Sequence, residues 1–180
     1  MNAVAAQNLI FWGMKKLGKA VAEVTLEDCN SEILIPLAFL DSIAAAELII
    51  RGRILEVEAE TEMEELRAIE LINGYSSQIA FPRLPEVLRK STGYIIKNLD
   101  IYRQTAHLRT RLLAEEVSSQ ELVESTLRFA FEAIEPMMIE VWEQIILLHL
   151  PEYDFEIDQH IETYLIRYKI DVSDHDSIGM

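Results

Sequence analysis

Cysteine occurs once in the 180 residues, as Cys29. No intrachain disulfide can form, and a cysteine-rich zinc site is excluded. A reducing compartment is the natural setting. Proline and glycine are also scarce, at five and six residues, and they fall between periodic segments. That distribution leaves long stretches unbroken and favours an all-α fold. Positive charge is short as well: 16 Lys and Arg face 31 Asp and Glu, a net charge of −15. Non-specific binding to nucleic acid or to an anionic membrane needs clustered cations, so the balance argues against both while allowing a local basic patch. Clean hydrophobic runs are missing too. Ile33–Ile50 holds Asp41 and Glu47, and Met137–Leu150 holds Glu140, Glu143 and Gln144. Neither is the run of roughly 20 apolar residues that spans a bilayer. The opening "MNAVAAQNLIFWGMKKLG" has no basic region ahead of its apolar residues and makes a poor signal peptide. A soluble cytoplasmic protein without a membrane partner is expected.

What is present is apolar patterning. Half the residues are hydrophobic, enough for one domain with a sizeable core. The expected architecture is an up-and-down bundle of five to seven helices over residues 1–172, with a frayed tail at 173–180. A first helix covers about 3–22, with Leu9, Ile10, Trp12, Met14, Leu17 and Val21 as its apolar stripe. Asn30 and Ser31 can cap the next helix. Pro36 fits only near that helix's beginning, because an interior proline loses a hydrogen bond and clashes with the preceding turn. The apolar band of "LAFLDSIAAAELIIRGRILEVEAE" is wide, as in a central helix buried on more than one side. "TEMEELRAIELI" continues as helix, with Thr61 and Glu64 at capping-box spacing, and Asn73-Gly74 stops it. Pro82 and Pro85 bracket a turn into the short helix "PEVLRKS". A further helix is expected from about Gly93 to Glu115. Ser118–Glu121 is a second capping box, opening a long helix to about Leu150 with a kink at Pro136. A last helix is expected at about 155–168.

The residues that carry chemistry lie in "IYRQTAHLRTRLL". Arg103, His107 and Arg111 follow at four-residue steps and form one row on a helix surface. A histidine titrating near neutral pH can move a proton, and a neighbouring arginine can hold a phosphate and offset charge that grows in a transition state. The plainer alternative is a solvated face on which Arg103, Arg109 and Arg111 pair with the abundant carboxylates. Seven glutamates in the fifteen residues of "EVEAETEMEELRAIE" read as a solvated acidic face. A carboxylate-bridged metal site would need Glu-x-x-His pairs, and the sequence has none; "PEYDFEIDQH" lacks the glycine and glutamate of a calcium loop. No metal and no cofactor is expected. Gly-x-Ser-x-Gly and glycine-rich phosphate loops are absent. Met137, Met138, Trp142, Phe129 and Phe131 read as core.

"AAAELIIRGRILE", then "FPRLPEVL", then "IYRQTAHLRTRL" together resemble a HEPN domain, over most of residues 30–150. The resemblance implies a helical bundle. Its central helix carries a Glu and a basic residue, here Glu47 and Arg51, and a later helix carries an arginine, a polar residue and a histidine. It further implies a metal-independent ribonuclease whose Arg/His pairs meet across a homodimer, often within toxin–antitoxin or antiviral defence systems. His107 would be general acid or base, Arg103 would bind phosphate, and Gln104 would orient the histidine or the RNA. Apart from the resemblance, a basic strip of Lys97, Arg103, Arg109, Arg111 and Arg128 can act locally, with Arg111, Arg109 and Lys97 as candidate substrate contacts. The departure is the spacing: three residues separate Arg103 from His107 where the usual motif has at least four. Arg109 also stands where some members have a tyrosine. The second reading is therefore a non-catalytic acidic helical interaction module with an antitoxin or other regulatory protein as partner.

Overall fold

The computed structural model describes residues 2–25, 32–58, 80–112, 114 and 117–151. All regular structure among these residues is helical. The expected helices at 61–72 and 155–168, Cys29, His160, His175 and the tail from 173 lie outside the described residues.

Helix α1 is Asn2–Thr25 and α2 is Leu34–Glu58. Pro36 sits in the first turn of α2, where the missing N–H costs no helical bond. The two helices pack antiparallel: Lys16 pairs with Asp41 at 2.7 Å near one end, and Gly52 faces Ala6 and Ile10 near the other. At Gly13 the backbones come so close that a Cβ would stand 2.9 Å from the Ala45 carbonyl oxygen and 2.7 Å from Ile49 Cγ1. Only a residue without a side chain permits that approach. α2 is buried around most of its circumference, with Phe39, Ile43, Ile49, Ile50, Ile54 and Leu55 all in the core. Its Ser42 hydroxyl donates to the Phe39 carbonyl at 2.7 Å, so the buried polar group is satisfied. This is the central helix that its wide apolar band predicts.

A single 3-10 turn, Phe81–Arg83, leads into α3, Leu84–Thr92. α3 closes on Gly93, whose φ of +76° is left-handed and whose N–H donates to the Arg89 carbonyl at 2.9 Å. Gly93 therefore ends one helix instead of opening the next. The helix with the cationic row, α4, starts six residues later and spans Leu99–Leu112. Its position is fixed by Tyr102, which is fully buried. The Tyr102 ring stacks on Phe81 at 4.5 Å and meets Phe129 edge-on at 5.6 Å, while its hydroxyl donates to the Phe81 carbonyl at 2.9 Å. Burial raises the Tyr102 phenol pKa well above its ordinary value, with the Glu47 carboxylate adding to the rise.

α5 is one helical run in three sections: Ser119–Arg128, a π-helical section Phe129–Ile134, and Glu135–Trp142. The Ser118 side chain accepts from Glu121 N–H at 3.2 Å, as the capping box predicts. The irregularity comes just ahead of Pro136, as a π section. The run stops at Trp142, short of the expected Leu150, because Glu143 takes a left-handed φ of 56°. Bonds from Glu143 N–H to the Ile139 carbonyl and from Gln144 N–H to the Met138 carbonyl then close the helix. Another 3-10 turn, Ile146–His149, packs back against α1. The result is an all-α bundle. No helix among the described residues is long and apolar enough to cross a membrane.

Candidate functional site

Ile101, Tyr102, Thr105 and Leu108 turn one face of α4 into the core. The opposite face presents Arg103, Gln104 and His107 to solvent. Each residue of an α-helix advances about 100° around the axis, so a step of four overshoots a full turn by about 40°. Across Arg103, His107 and Arg111 the drift is about 80°. That rotation separates the ends of the row. His107, Gln104 and Arg111 line a groove of about 330 Å³ between α4 and α5, together with Glu121, Glu124 and Arg128. Arg103 lines a different groove of about 380 Å³, between α3 and the start of α4.

The charges of the α4–α5 groove are balanced. Arg111 Nη1 lies 2.7 Å from Glu121 Oε1, and Arg128 Nε lies 3.2 Å from Glu132 Oε1. Two carboxylates, Glu121 and Glu124, share the lining with the two guanidinium groups. Arg109 points back to α2, where its Nη1 is 3.4 Å from Glu47 Oε1. Glu47 also stands 4.0 Å from the buried Arg51, so it links the basic residues of two helices. Lys97 pairs with Glu140 on α5. Arg103 pairs with Asp100 one turn back at 3.3 Å, with both side chains well exposed. His107 and Gln104 are thus brought together with Arg111, whereas Arg103, Arg109 and Lys97 are each placed elsewhere.

Two titratable groups, Glu135 and His149, are buried against expectation, the latter where the end of a helix would favour an exposed positive charge. Glu135 is 2% exposed and accepts a 2.8 Å bond from Ile146 N–H. Burial raises its carboxyl pKa to about 7, against the opposing pull of that hydrogen bond. An acid inside "FAFEAIEPMMIEV" is the signal that could have found it, since its neighbours are almost all apolar. His149 is buried at the end of the last 3-10 turn, with Nε2 3.1 Å from Gln144 Oε1. Burial lowers its pKa, and nearby Lys15 adds to this. Among the described residues no group of three or more His, Cys, Asp or Glu side chains is arranged to hold a metal ion. Comparison of the chain with models of known protein families, with curated proteins and with solved structures finds no match.

Proposed function

We propose that the chain is a non-enzymatic helical interaction module, an antitoxin-like or regulatory partner of another protein. The observation that carries this reading is the parting of Arg103 from His107 into separate grooves. Phosphodiester cleavage by such a pair needs arginine and histidine on one phosphate, held in position before the reaction. Here Arg111, which shares the histidine's groove, is already neutralised by Glu121. At a net charge of −15, the chain also repels a polyanion at long range. For contact with a protein, α1 offers Val4, Phe11 and Trp12, which are 63%, 49% and 63% exposed. Large apolar side chains gathered on a surface favour protein contact.

A metal-independent ribonuclease is the second reading. The shared groove of Gln104, His107, Arg111 and Arg128 favours it. It would require a second copy of the chain to complete the phosphate site. One experiment divides the two. The purified protein and its His107→Ala variant are incubated with single-stranded RNA, and both are expressed in cells. The module reading expects intact RNA and equal growth. Cleavage or toxicity that disappears in His107→Ala would reverse the order of the two readings.

A further inference from the structure

The groove that takes Arg103 is the more unusual of the two by charge. Residues 80–103 carry Arg83, Arg89, Lys90, Lys97 and Arg103 against only Glu86 and Asp100, in a chain whose net charge is −15. The local sign is therefore the reverse of the whole. The floor of the groove is apolar: Pro85, Ile95, Ile96 and Leu99 line it. Ile96 is buried at 2%, whereas its neighbour Ile95 is 63% exposed over the opening. Arg89 and Arg103 stand at the polar margin. The Arg89 guanidinium has no hydrogen-bond or ion-pair partner among the described residues. Among the described residues Arg103 has only the solvent-exposed contact to Asp100 at 3.3 Å, of a kind that contributes little and exchanges readily. Among the described residues the one carboxylate on the margin, Glu86, is held by Lys90 at 2.7 Å. Its pKa is lowered chiefly by Lys90 and further by Arg83 and Arg89, which reports the cationic field of this corner.

We propose that the groove between α3 and the start of α4 binds a small amphiphilic anion, its apolar body on Ile95, Ile96 and Leu99 and its carboxylate or phosphate between Arg89 and Arg103. Planar guanidinium groups match the two oxygens of such a head group. A cavity of about 380 Å³ falls in the range of small-molecule sites, which combine an apolar lining with few polar groups. The charge distribution also selects the size of the ligand. A polyanion must bring many charges near an acidic chain. A ligand with one or two charges meets only the local field, since the surrounding acids are screened over roughly 8–10 Å.

The test uses decanoate as probe, with decan-1-ol and inorganic phosphate as partial ligands. Titration is followed by calorimetry and by amide NMR shifts. Decanoate is expected to bind with saturable shifts at Ile95, Ile96 and Leu99, and at least about tenfold more tightly than either partial ligand. Arg89→Ala/Arg103→Ala is expected to weaken decanoate at least about tenfold and to leave decan-1-ol unchanged. Lys15→Ala/Lys19→Ala removes the same charge from the exposed face of α1 and should not alter decanoate binding beyond about twofold. Both arginines are exposed, so the double variant should fold, and circular dichroism checks it. Shifts located elsewhere would overturn the proposal. So would phosphate binding as tight as decanoate, or equal weakening by the two double variants. The result is independent of ribonuclease activity, which His107→Ala reports separately.

Discussion

The α1–α2 hairpin and the α3–α4 corner solve opposite problems. In the hairpin, two helices of 24 and 25 residues approach until backbone meets side chain. Nothing there can be enlarged without moving a helix, because interiors packed at crystal-like density have no slack. In the corner, α3 has nine residues, the cations stand in water, and each ion pair can be exchanged for another. The hairpin is where stability resides, and the corner is where binding can be tuned at little cost to folding. Rigid packing at one place permits loose charge at the other.

The largest expected effect breaks the hairpin. In Gly13→Val even the first side-chain carbon meets the Ala45 carbonyl and Ile49, so α1 must move off α2. A loss of about 2–3 kcal/mol is expected in urea unfolding. An unchanged midpoint would mean that the close approach is not real.

Next comes a buried charge. Glu135 has its folded pKa raised to about 7, so ionisation is harder folded than unfolded. Its contribution to stability is fully present below the unfolded pKa and is lost as pH climbs through the folded value. Glu135→Gln cannot ionise, yet its amide oxygen can still accept from Ile146 N–H. The variant should match wild type near about pH 4 and gain about 2–3 kcal/mol over it by about pH 8. A stability difference that stays flat across this range would sink the assignment.

The smallest effect tests the corner. Arg103→Ala and Lys97→Ala remove exposed cations from ion pairs with Asp100 and Glu140. Each should change unfolding stability by no more than about 0.5 kcal/mol. A loss several times larger would show that the corner is structural and would erase the contrast with the hairpin.

Much of the helix inventory could be read from the pattern of apolar residues and caps. The central burial of α2, the early Pro36, the Ser118 cap and the core roles of Met137, Met138, Phe129 and Phe131 all came from such signals. Where reading failed, tertiary contacts had outweighed local preference. Trp12 belongs to the apolar stripe of α1 by composition but is 63% exposed. A helix opening at about Gly93 would include Ile95, but the left-handed Gly93 delays the helix to Leu99, and the chain buries Ile96 while Ile95 is 63% exposed. α5 ends at a left-handed Glu143, a conformation that glutamate gives no local reason to expect. The candidate site divides in the same way. The row Arg103, His107, Arg111 was visible from spacing, and so was the supply of carboxylates to pair with it. Its separation into two grooves was not.

Composition and periodicity by themselves determined that this chain is helical, that its apolar segments are broken by acids, and that α4 has one cationic face. Those are local properties, set by side-chain chemistry and a repeat of 3.6 residues per turn. Which groove each cation enters was decided by the tertiary structure, because a groove has two walls and the second belongs to another helix. α5 supplies that wall for His107 and Arg111, and α3 supplies it for Arg103. The burial of Glu135 was settled in the same way, since what removes water from a side chain is the packing of segments far apart in the chain.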